Sequence, residues 1–160
     1  MQYEGEYLDG EYHGQGTYYN YHGEIVYSGT FYYGIIQESA QDRSARVGAF
    51  KDQSVPCTVD ELYTACASEI SIRAQVSGEI FQVFYYPESD PTVCEIRISE
   101  SGIDDLEHII EIYYLLSEGE ALPVEGQSVT VWGTTEYLFS YTTYDGDYLT
   151  VPQLEAWSVE

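Results

Sequence analysis

The sequence predicts a mainly β protein in which short hairpin repeats precede a small β-barrel carrying one short helix. Three observations predict it. The opening of the chain echoes itself with a period of about 24 residues, as stacked repeat units do. Most of the remainder runs in short stretches of alternating apolar and polar residues, the mark of strands with one buried face. A single strong helix-start signal stands at Thr58, and Gly, Pro, Asp and Ser punctuate the intervals.

The repeat comes first. Tyr3-Glu4-Gly5-Glu6-Tyr7, then Asp9-Gly10, His13-Gly14, Gly16 and Tyr18, are answered by Tyr27-Ser28-Gly29-Thr30-Phe31 and Gly34. Asp9-Gly10 has the residue types of a two-residue hairpin turn, so each unit reads as one hairpin. His22-Gly23 falls where the next turn is needed. This pattern resembles the MORN repeat, which reads Tyr-Glu-Gly-Glu-aromatic, then Asn/Asp-Gly, then His/Asn-Gly-x-Gly-x-Tyr. Residues 3–26 match nearly every position, whereas 27–36 keep only the opening half and depart at Ser28 and Thr30. So few units do not stand alone, and they are expected to continue the sheet of whatever follows, packing edge-on against it.

Residues 37–56 read as a polar linker with a helical turn around Ser44–Phe50. Thr58-Val59-Asp60-Glu61 is a capping box, which predicts a helix over Val59–Ser68 with Leu62, Cys66 and Tyr63 facing inward. Strand patterns follow at Ile70–Val76, Ile80–Tyr86 and Thr92–Ser99, with a bend at Gly78 and a turn over Pro87–Pro91. Within 104–116, Leu106, Ile109, Ile110, Tyr113 and Leu116 fit a helical face. The β-branched and aromatic run there favours a strand from Ile109 to Leu115. Ser128–Thr135, Tyr137–Thr143 and Tyr148–Ala156 close the chain as strands, with Tyr144–Asp147 as a turn and Val129, Val131, Val151 and Leu154 in the core.

Glu125-Gly126-Gln127-Ser128-Val129-Thr130-Val131-Trp132-Gly133-Thr134, followed by Tyr141-Thr142-Thr143 and Thr150-Val151-Pro152, resembles bacterial OB-like domains of the tRNA-anticodon-binding-like superfamily. The resemblance spans residues 57–160, and Gln127 replaces the usual acidic residue. It implies a small barrel of the kind that binds oligonucleotides through one face and its flanking loops. That function requires basic residues, and only Arg73 and Arg97 are candidates, among many carboxylates. The expected organisation is therefore 1–36 hairpin repeats, 37–56 linker and 57–160 OB-like barrel.

Charge narrows the function. The chain has 28 acidic and 5 basic residues, a formal net charge of −23, and no basic residue after Arg97. Such a surface repels nucleic-acid backbones and anionic membranes, and attracts basic protein surfaces at long range. No apolar run approaches the roughly 18–20 residues that cross a membrane, and no leader pattern opens the chain, so a cytoplasmic location is expected. Cys57, Cys66 and Cys94 form no C-x-x-C pair and read as reduced thiols, with a Cys57–Cys66 disulfide open to an exported protein. His13, His22 and His108 give no zinc spacing. Asp145-Gly146-Asp147 reads as a turn rather than a calcium loop. No phosphate loop or Ser-His-Asp order is present, so neither an enzyme nor a cofactor is expected.

The function expected is an acidic protein-binding module that engages a basic partner. It would act as a nucleic-acid mimic inhibiting a nucleic-acid-binding protein, as anti-defence proteins such as anti-CRISPRs do. The candidate partner-binding residues are Asp104, Asp105, Glu107, Glu118, Glu120, Glu125, Asp145 and Asp147. Two other readings stay open. One is an interaction scaffold whose acidity serves solubility; the other is an oligosaccharide or peptide binder using its tyrosine stripe.

Overall fold

The computed structural model describes residues 2–86, 90–102, 108–116 and 120–160. Its first part is an antiparallel meander of β1 (Gln2–Leu8), β2 (Glu11–Tyr19), β3 (Ile25–Tyr32) and β4 (Ile35–Gln37). The tight turns are Asp9-Gly10 (φ 54° and 94°) and Tyr33-Gly34 (φ 47° and 78°), where both residues take the left-handed conformation that two-residue hairpins need. Gly5, Gly16 and Gly29 lie opposite one another across β1, β2 and β3. Tyr3 folds its ring over this column: a Cβ at Gly16 would sit 2.1 Å from Tyr3 Oη. Tyr3 Oη lies 3.1 Å from the Glu6 carbonyl of its own hairpin. One period later Tyr27 does the same, donating to the Gln37 carbonyl at 2.9 Å and lying against Gly29. The Tyr-x-Gly spacing is thus a ring closing over a bare backbone, and the hairpin repeat read from the sequence is present in both copies.

The second part is a closed sheet. It comprises β6 (Arg73–Tyr86), β7 (Asp90–Ser99), β8 (Ile109–Leu115), β9 (Ser128–Thr142) and β10 (Tyr148–Val159), in the order β6-β7-β8-β10-β9. β9 returns to pair with β6, closing the ring. β8 and β10 are parallel, and the other ring neighbours are antiparallel. A two-residue strand, β5 (Val55–Pro56), adds in parallel beside β6. The alternation turns Val76, Ile80, Cys94, Ile96, Ile98, Ile110, Ile112, Val129, Val131 and Leu154 into the ring, all buried. The helix α2 (Val59–Ala67) caps this core with Leu62, and its Thr58–Glu61 capping box forms as the sequence indicates. The strand at Ile109–Leu115 is also present.

Several expectations are corrected. Residues 37–56 contain β4's last residue, β5 and a 12-residue helix, α1 (Ala40–Lys51), rather than a linker with one helical turn. Its two buried residues, Val47 and Phe50, give a weak apolar face. Packing supplies the rest: Phe50 stacks on Trp157 with centroids 4.3 Å apart. The Ile70–Val76 and Ile80–Tyr86 patterns belong to one strand, β6, which begins at Arg73 and passes straight through Gly78. Ser128–Thr135 and Tyr137–Thr143 likewise merge into β9. Tyr63 is 41% exposed rather than inward. Of the Pro87–Pro91 turn, 87–89 lie outside the described residues and Asp90-Pro91 opens β7.

The meander forms a sheet of its own rather than continuing the ring's sheet. Its aromatic face packs there instead: Tyr3, Tyr18, Val26, Tyr27, Phe31 and Ile36 cluster with Leu115, Val93 and Trp157. Two polar contacts tie the turn between β2 and β3 to β9. Tyr21 N–H donates to Glu136 Oε1 at 3.2 Å, and His22 Nε2 donates to the Thr135 carbonyl at 2.9 Å.

Candidate interaction surface

The predicted partner-binding residues divide into three groups. Asp104, Asp105, Glu107 and Glu118 lie outside the described residues. Glu125, Asp145 and Asp147 are exposed, Glu125 before β9 and the two aspartates in the β9–β10 turn. That turn is the tight one expected: Gly146 has φ 93° and Thr143 N–H donates to the Asp147 carbonyl at 2.8 Å. Glu120 is corrected. Only 12% of its side chain is exposed, and it is held by Arg43 and the Tyr114 hydroxyl inside the molecule, so it is not a free surface anion.

Arg43 is one case of a general arrangement. Each of the chain's five basic side chains is paired with one of its own carboxylates: Arg43 with Glu120, Arg46 with Glu38, Lys51 with Glu160, Arg73 with Glu24 and Arg97 with Glu111. Four also lie over aromatic rings, Arg46 on Tyr27 and Trp157, Lys51 on Trp132, Arg73 on Phe50 and Arg97 on Tyr141. Each cation is therefore engaged within the molecule, in pairs at the surface for Lys51 and Arg73 and in deeper ones for the three other arginines. The exposed charge around them is carboxylate: Glu4, Glu6, Asp9, Asp42, Asp52, Asp60, Glu61, Glu69, Glu100, Glu125, Asp145 and Asp147 are all exposed.

Two further groups of buried carboxyls carry no sequence signal, because they occupy the polar positions of alternating strands and read there as solvated. Glu111 on β8 is fully buried on the outer face of the ring. It stands opposite Arg97 on β7, whose Nε donates to Glu111 Oε2 at 2.6 Å, while Nη1 donates to Gln82 at 2.8 Å. The β9–β10 hairpin runs past the end of the β6–β9 pairing and brings Tyr141 over the guanidinium, 3.6 Å from its carbon to the ring centroid. Burial raises the Glu111 pKa, and Arg97 opposes that rise.

Glu136 on β9 and Glu155 on β10 are each 1% exposed and adjoin one another beneath the meander. Neither belongs to any of the chain's ion pairs with basic side chains. Burial, then the charge of Glu136, drives the Glu155 pKa well above the usual carboxylate range; burial raises Glu136 too. The Tyr18 hydroxyl faces Glu155, and burial raises its pKa as well. Glu136 Oε2 and both Glu155 carboxyl oxygens lack a hydrogen-bond partner among the described residues, an arrangement that one proton held by the pair relieves, since one carboxyl can then donate to the other.

Among the described residues, no three or more His, Cys, Asp and Glu side chains gather as a metal site. All three cysteines are free; burial pushes the Cys94 thiol up to about 11 and raises Cys57 and Cys66. Among the described residues no helix is long and apolar enough to cross a membrane. No family profile matches the chain, and no curated protein matches its sequence.

Proposed function

We propose that this protein is a non-enzymatic, acidic binding module that engages a basic protein surface and competes there with nucleic acid. The observation that carries the reading is the internal use of all five cations, which leaves the exposed carboxylates without a local opposing field. A nucleic-acid-binding enzyme is the partner class that fits, since its basic channel complements this surface. An anti-defence inhibitor such as an anti-CRISPR is one form such a module takes. We read residues 1–36 as MORN-like hairpins, on the repeated Tyr-x-Gly closure, and 57–160 as an OB-like barrel. The second assignment rests on five ring strands with the last inserted between the third and fourth. Oligonucleotide binding does not transfer with it. Arg97, the one basic residue on β7 and β8, is 9% exposed and held by Glu111.

The test is a titration against a basic nucleic-acid-binding protein captured from host lysate, with and without duplex DNA. Affinity should fall steeply as salt shortens the screening length from about 10 Å at 0.1 M to about 3 Å at 1 M. DNA should compete. Converting Glu125, Asp145 and Asp147 to amides should slow association more than it speeds dissociation. Binding indifferent to salt, DNA and these changes would refute the mimic and leave a scaffold. A second reading has its own observation: Tyr32 and Tyr33, 56% and 37% exposed, flank His13 at 5.3 and 5.2 Å, a tyrosine surface suited to a sugar or peptide.

A further inference from the structure

We propose that the groove between β5, the start of β6 and α2 docks a short segment of the basic partner, one with apolar side chains between two cationic ones. The proposal rests on the acidic-module reading and assigns it a contact point.

The groove has a volume of about 480 Å³, and Val55, Cys57, Ala65, Ile70 and Ile72 supply its apolar lining. Val55 is 51% and Ile70 54% exposed, so this part of the wall stands uncovered, whereas the isoleucines of β7 and β8 are buried. Carboxylates stand at both ends of the helix that forms one side. Asp60 and Glu61 lie in the first turn of α2 and line the groove, Glu61 also accepting the Thr58 N–H at 2.9 Å, and Glu69, just outside the lining, follows the last turn next to Ile70. At 1.5 Å per residue the two ends are about 12 Å apart, a distance that four residues of extended chain cover at about 3.3 Å each. No basic side chain lines the groove; the nearest along β6, Arg73, is engaged by Gln53 and Glu24. Apolar walls between carboxylates at this spacing match a segment of the form cation, three residues with apolar side chains, cation. Recognition is through side chains rather than an added strand. Pro56 has no N–H to offer a ladder, which blunts the β5 edge.

Cys57 makes the groove observable. It is a half-buried free thiol on the groove wall, while Cys66 and Cys94 are buried, so alkylation of the folded protein reads Cys57 first. The probe is the capped peptide Lys-Ile-Val-Ile-Lys, with capped Lys-Ser-Gly-Ser-Lys as the equal-charge control. At low salt the apolar peptide should slow Cys57 alkylation, and the control should not. Ile70→Ser should weaken the apolar peptide at least about tenfold while leaving the melting temperature unchanged, because Ile70 is exposed. Equal protection by both peptides, or an Ile70→Ser protein that binds as wild type does, would overturn the groove and leave the acidic reading intact. Absence of protection by either peptide would also overturn it. The acidic reading is judged separately by its own salt and DNA titration.

Discussion

The outer face of the ring buries glutamates in two places and treats them in opposite ways. At Arg97–Glu111 a guanidinium answers the carboxylate, Gln82 takes a second donor and Tyr141 closes the top. At Glu136–Glu155 neither carboxyl is paired with a lysine or arginine, and the two meet under Tyr18 with His22 close to Glu136. The lesson concerns supply. A chain with five cations has assigned each to one carboxylate, so a further buried pair must be neutralised by a proton. The first site is an ion pair that loses badly when halved; the second is a pH-dependent joint between the meander and the ring.

The largest way to break the comparison is Arg97→Ala. It leaves Glu111 buried without a partner and should cost about 3–5 kcal/mol in chemical denaturation. A loss below about 1 kcal/mol would show that Glu111 is already protonated and that the two sites are alike. Glu155→Gln should do the reverse. It supplies a permanent donor to Glu136 and should stabilise the protein at neutral pH by about 1 kcal/mol.

The same substitution sharpens the comparison through pH. Burial raises the folded pKa of Glu136 and Glu155, so above the ordinary carboxyl range the native state holds a proton that the unfolded chain has released. Stability is then greatest below the unfolded pKa and declines as pH rises from there through the folded pKa of the pair. Self-repulsion at a net charge of −23 adds a slope of the same sign. Melting temperature against pH should therefore fall in wild type and fall less in Glu155→Gln, the difference isolating the pair. Parallel curves would assign the whole slope to surface charge. The smallest effect belongs to the exposed turn: Asp145→Asn with Asp147→Asn should move stability by no more than about 0.5 kcal/mol. A larger change in the melting curve would mean that these carboxylates hold the hairpin rather than a partner.

Local patterns were legible wherever one residue's chemistry decides one turn of chain. The 24-residue echo announced both hairpins because ring, bare glycine and left-handed turn all lie within one unit. The Thr58–Glu61 box announced α2, and the Ile109–Leu115 run announced β8. The helix α1 was legible only as a turn around Ser44–Phe50, since Val47 and Phe50 alone mark its buried side and the partner that makes Phe50 count is Trp157, more than a hundred residues away. The buried glutamates were hidden for the same reason. On an alternating strand Glu111, Glu136 and Glu155 take the polar phase, and only the meander and the β9–β10 hairpin laid across that face convert it into interior.

The sequence by itself therefore determined the β character, the hairpin repeat, the inward set led by Val131 and Leu154, and the sign of the field, all of which follow from residue type and spacing. Tertiary structure alone decided that the meander forms its own sheet and docks on the ring by its aromatic face. It alone decided which carboxylates stay in water and which share a cation or a proton. Those outcomes depend on what is laid over a strand's outer face, and the distance in sequence between the two partners leaves no local trace of it.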